Sequence, residues 1–105
     1  MKGNGPKARL ALRLKLTDRD DDLWELVAWW VPVSPANPLG VKYRFAFVPF
    51  GERRPAVLYD NHAPKGPHKH LAGREEPMYF DGLVALRAEF ELDVQTWKKT
   101  VGKRK

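Results

Sequence analysis

Val41-Lys42-Tyr43-Arg44-Phe45-Ala46-Phe47-Val48-Pro49-Phe50 is the stretch that decides the fold class. Tyr43, Phe45 and Phe47 fall at every second position, opposite Lys42 and Arg44. A period of two belongs to a strand with one buried and one wet face. Upstream, Leu10, Leu12, Leu14 and Leu16 alternate with Arg9, Arg13 and Lys15, which predicts a second strand of the same kind. Between them, Leu23 to Val33 is apolar on both faces apart from Glu25 and reads as a central strand. Ala56 to Asp60 reads as a short fourth strand.

The connections are brief. Thr17 to Asp22 is an acidic turn, Pro35, Pro38 and Gly40 force a loop, and Gly51 to Pro55 is another turn. Short links between successive strands favour an antiparallel meander. Asn61 to Pro77, rich in proline and histidine, reads as a loop. Leu83, Leu86, Phe90, Val94 and Trp97 then recur at spacings of three and four, with Arg87, Glu91, Gln95 and Lys98 facing away. The expected fold is α+β: a four-stranded antiparallel meander with one C-terminal helix packed on one face.

At 105 residues the chain has room for one core. The expected division is a single α+β domain over residues 1–97 and a basic tail over 98–105. With no cysteine, disulfides and thiolate metal sites are excluded. The longest strongly apolar run, Leu26 to Val33, is far shorter than the roughly 20 residues of a membrane helix. The opening residues are polar and Gly-rich rather than signal-like, so a cytoplasmic protein without a membrane partner is expected. The net charge of +6 suits an anionic partner such as nucleic acid. Lys98, Lys99, Lys103, Arg104 and Lys105 supply five of those charges and leave +1 on residues 1–97. Lys98 and Lys99 are therefore candidate RNA contacts, although a basic end is equally often a solvated one.

All three histidines, His62, His68 and His70, lie within nine residues, beside Asp60, Asn61, Lys65 and Lys69. In extended backbone His68 and His70 point the same way, about 6–7 Å apart, with Lys69 on the opposite side. Such a pair can hold a phosphate. Cleavage of RNA through its own 2′-hydroxyl needs a base, an acid and cations to stabilise the phosphorane, and no metal. Asp60 could orient a histidine and fix its tautomer, or could simply be a turn residue like Asn61.

A metal site competes: Asp60, His62, His68 and His70 are a donor set for zinc or iron. His68-x-His70-x4-Glu75-x6-Gly82 matches the first half of the cupin metal motif. The glycine expected before the first histidine is His62 here, and no second half-motif follows, so the match is of low specificity. The aromatics Trp24, Trp29, Trp30, Tyr43, Phe45 and Phe47 serve a core, base stacking or a partner protein. Trp29 and Trp30 must face opposite sides of a sheet, so one covers a face the helix does not. An exposed aromatic face suits a partner protein, a second copy of the chain included.

The order Tyr43-x-Phe45-x-Phe47, a turn, Leu58-Tyr59-Asp60-Asn61, then His68-Lys69-His70, Glu75-Glu76-Pro77 and an amphipathic helix resembles the TumE-type toxins of prokaryotic toxin–antitoxin pairs. The resemblance covers roughly residues 41–95. It implies a growth-inhibiting toxin with RNA as its target and a helix-turn-helix antitoxin as its partner. The residues it carries over are Tyr59, Asp60, Asn61, His68, Lys69 and His70. The combined expectation is a metal-independent ribonuclease with no cofactor. His68 and His70 are acid and base, Asp60 an orienting carboxylate, and Lys65 and Lys69 phosphate ligands. Tyr59, Asn61, Lys98 and Lys99 are further nucleic-acid contacts. The rivals are a non-catalytic nucleic-acid or protein-binding module and a metal-dependent enzyme with a His-rich site.

Overall fold

A computed structural model describes residues 7–102. One antiparallel sheet carries strands β1 (Arg9–Thr17), β2 (Leu23–Trp30), β3 (Val41–Val48), β4 (Val57–Asp60), β5 (His68–Leu71) and β6 (Arg74–Pro77) in that spatial order. The helix α1 (Leu83–Gly102) follows. The meander and the C-terminal helix on one sheet face agree with the sequence reading, and the strand count does not. There are six strands rather than four, because the expected loop over 61–77 contains a hairpin.

Ala72 and Gly73 both have positive φ, 51° and 87°, and form its two-residue turn. That geometry matches the right-handed twist of the flanking strands. Glycine adopts it freely, and alanine only at a cost. The hairpin strands His68–Leu71 and Arg74–Pro77 have no apolar alternation. Backbone pairing of β5 with both β4 and β6 holds them instead.

The four-leucine row of β1 is also interrupted. A register shift between Leu10 and Leu12 sets Leu10 opposite Trp29 and Leu12 opposite Ala28, a β-bulge that takes Leu10 out of the row. Leu12, Leu14 and Leu16 remain in register with Ala28, Leu26 and Trp24.

The core lies between the sheet and α1. Leu26, Ala28, Tyr43, Phe45, Phe47, Val57 and Tyr59 from the strands meet Leu86, Phe90 and Val94 from the helix, all buried. Phe90 is the hub. Its ring stands edge-on to Trp24, Phe45 and Tyr59 at centroid distances of 5.8, 5.6 and 5.1 Å. Such T-shaped pairs add to area burial because ring edges and faces carry opposite partial charge.

The helix continues through Lys98 and Lys99 to Gly102, so these first positions of the expected tail are helical. Lys98 does not face away either. Its ammonium bonds Asp18 at 2.6 Å and Asp20 at 2.7 Å, and pairs with Asp22 at 3.1 Å. Asp18 also accepts from the Trp24 indole at 2.8 Å and from the backbone N–H groups of Asp20 and Asp22. Burial alone would raise the Asp18 carboxyl, but Lys98, Trp24 and the two amides outweigh it and bring its pKa to about 2. The acidic turn thereby clamps β1–β2 to the last turns of α1.

Candidate functional site

Strand periodicity divides the histidine segment between two environments. Tyr59 pairs with Phe45 and Lys69 with Tyr59, so Lys69 shares the helix-covered face. His68 and His70 alternate with it and stand on the face the helix leaves open.

On the covered face the Tyr59 hydroxyl donates to Asp93. Lys69 donates to Glu89 at 2.9 Å and to Asp93 at 3.1 Å, and sits 5.7 Å from the Tyr59 ring centroid. Burial works against the Lys69 ammonium, but Glu89 and Asp93 outweigh it and raise its pKa. Burial, with Asp93 adding to it, pushes the Tyr59 phenol far above its ordinary range. Lys69 and Tyr59, expected to contact RNA, are thus committed to an internal network on the side away from both histidines.

Asn61 is structural as well. Its side chain accepts from the Tyr43 N–H at 3.0 Å and donates to the Val41 carbonyl at 2.8 Å, extending the β3–β4 pairing past the strand end. Asp60 is opposite His68 in register, yet its carboxylate accepts from the His62 N–H at 2.6 Å. That is the turn role open to an aspartate here. The carbonyl of Gly66, 2.8 Å from Nδ1, is the group that orients His68. With Nδ1–H donating to that carbonyl, Nε2 is the nitrogen left to accept a proton or bind a ligand.

The open face brings together His68, His70 and Glu75. The two imidazole centroids are 5.2 Å apart at 74°, and His68 is 8 % exposed. His70 pairs with Glu75 across the hairpin, with Nε2 3.9 Å from Oε1. Lys65 donates to both Glu75 oxygens at 2.9 Å. That ion pair holds the Glu75 carboxyl below its usual range, and the two histidines act in the same direction.

Beside this cluster, Trp29, Lys42, Arg44, Asp60 and His62 line a hollow of about 200 Å³. Arg44 is opposite Asp60, and Asp60 opposite His68, so Arg44 and His68 are two strands apart, about 10 Å. Arg13 covers the Trp29 ring at 5.9 Å. Lys42, Arg44 and Lys65 are exposed, and so is Lys99 near the helix end.

Arg44 is a site residue the sequence does not single out, whereas Glu75 enters there only through the cupin-like spacing and Trp29 only as one of several aromatics. Glu75 becomes a neighbour of His70 once Ala72-Gly73 is recognised as a hairpin turn. Arg44 joins through the register of β3 with β4. Comparison with known proteins returned no match among family models, curated proteins or solved structures. Among the described residues no helix is long and apolar enough to cross a membrane.

Proposed function

We propose that the chain is a toxin of the TumE kind, a metal-independent ribonuclease whose working surface is the open sheet face. The observation that carries this reading is the pair His68 and His70, with ring centroids 5.2 Å apart on the uncovered face. One imidazole removes the proton from a ribose 2′-hydroxyl, and that oxygen attacks the adjacent phosphorus. The other donates a proton to the departing 5′ oxygen. The products are a 2′,3′-cyclic phosphate and a free 5′-hydroxyl.

Lys65 and Arg44 supply positive charge for the phosphorane, and Trp29 a ring on which a base can stack. Lys69 has no place in this mechanism and Asp60 no orienting role. Lys98 is engaged with three aspartates, which leaves Lys99 as the helical lysine open to RNA. The toxin assignment and a helix-turn-helix antitoxin rest on the order of motifs over residues 41–95.

Incubating the purified chain with total RNA in EDTA tests the activity. Cleavage by the wild type and none by His70→Ala supports it, and equally intact RNA in both refutes it. Growth arrest on expression, relieved by the product of an adjacent helix-turn-helix gene, tests the toxin assignment. A second reading, a non-catalytic RNA-binding module, is favoured by the basic hollow at Trp29. It predicts salt-sensitive RNA binding, weakened by Arg44→Ala, with no cleavage.

A further inference from the structure

We propose that His68, His70 and Glu75 also form a binding site for a divalent transition cation of the zinc class. One donor atom from each of the three lies within 4.8 Å of the other two. Tetrahedral zinc with nitrogen and oxygen ligands at 2.0–2.1 Å spaces its donors about 3.3 Å apart. The His70–Glu75 separation of 3.9 Å is within about 0.6 Å of that spacing, which small side-chain rotations can close.

The backbone makes this set more than a chance meeting of side chains. His70 and Glu75 are direct cross-strand partners, and His68 is two residues along the same strand face. The Ala72-Gly73 turn fixes that register. The Gly66 carbonyl on His68 Nδ1 is the kind of outer partner that sets the tautomer of a metal-ligating imidazole. Two neutral imidazoles and one carboxylate suit zinc, cobalt or iron better than calcium or magnesium, which prefer oxygen.

Lys65 supplies the countercharge while no cation is bound. Its pair with Glu75 is exposed, the lysine side chain 58 % so, and such pairs are weak. A divalent cation can displace it. The aspartate cluster at Asp18, Asp20 and Asp22 shows the contrasting case: it too has the donors for a metal, but the Lys98 ammonium already holds all three.

Three protein ligands leave a fourth position for water. A cation bound this way takes the imidazole lone pairs that acid–base cleavage needs. Metal binding stands independently of the proposed function, whereas inhibition of cleavage by the metal rests on it.

The test is titration of the tag-free full chain with Zn²⁺ by calorimetry, and with Co²⁺ by visible absorption, both without RNA. One equivalent should bind, and cobalt should give the intense d–d bands of tetrahedral coordination. His70→Ala and Glu75→Gln, both on exposed or half-buried side chains, should weaken binding by about 10-fold or more while circular dichroism stays unchanged. Asp20→Asn should leave binding unchanged, and Lys65→Ala should tighten it. No saturable binding below about 100 μM, or equal binding by wild type and His70→Ala, would overturn the site. A chain that binds zinc but leaves RNA intact in EDTA refutes the nuclease reading and keeps the metal site. A chain that cleaves RNA in EDTA and ignores zinc does the reverse.

Discussion

Lys69 and His70 are adjacent in sequence and separated by the thickness of the sheet. On the covered face, Lys69, Tyr59, Asp93 and Glu89 satisfy one another beneath α1. On the open face, His68, His70 and Glu75 cluster with a single orienting bond from Gly66 and one exposed lysine. The covered group has its charges compensated and its protons held in place. The open group sets a half-buried His70 and a buried His68 beside the exposed Glu75 carboxylate. Alternation of side chains along one four-residue strand therefore separates a charge-compensated network from the histidine cluster.

Substitutions on the two faces should have opposite signatures. The largest effect is expected at the hub of the covered face. Phe90→Ala removes a fully buried ring and should cost about 3–5 kcal/mol in urea denaturation, abolishing any activity only through unfolding. Lys69→Met leaves Asp93 and Glu89 without their cation beside Tyr59 and should cost about 1–3 kcal/mol. The molecules that remain folded should keep full metal affinity. Reduced zinc binding by folded Lys69→Met would break the division between faces.

The clamp between the acidic turn and Lys98 predicts a pH dependence. The folded Asp18 carboxyl titrates at about 2, below its ordinary 3.8. Its stabilisation is therefore complete above about pH 5 and is lost as pH falls through 4 towards 2. The loss should be about 1–2 kcal/mol after allowance for solvent screening, and should shrink in Lys98→Met, where only Trp24 and the two backbone amides still hold the carboxyl down. Equal acid sensitivity in wild type and Lys98→Met would refute the clamp. The smallest stability change is expected on the open face. His70→Ala and Glu75→Gln should shift unfolding by less than about 0.5 kcal/mol while weakening metal binding and, for His70, removing cleavage.

Much of this division is legible in the sequence. Tyr43, Phe45 and Phe47 announce a half-buried strand, and the stripe from Leu83 to Trp97 announces the helix that covers it. Alternation alone puts Lys69 opposite His68 and His70. Strands β5 and β6 are hidden because polar residues on a short sheet edge leave no hydrophobic period. Their turn also puts alanine where asparagine or aspartate would have signalled a hairpin. Glu75 is legible through the cupin-like spacing, but its place directly across from His70 is hidden with them.

Lys98 is misread for another reason. Helical spacing places its Cα on the outer side, but a long flexible side chain reaches aspartates that sequence places about eighty residues away. Asp60 and Asn61 look chemical in a motif. Each is occupied with backbone groups, where short polar side chains at a strand end are most useful.

The central claim, that the open-face histidines carry the chemistry, is tested most directly with an oligonucleotide containing one ribonucleotide in a DNA strand. It should be incubated in EDTA with wild type, His70→Ala and Tyr59→Phe. The account predicts cleavage at the ribonucleotide by wild type and Tyr59→Phe, leaving a 2′,3′-cyclic phosphate, and none by His70→Ala. An intact oligonucleotide throughout, or cleavage by His70→Ala at the wild-type rate, would contradict it.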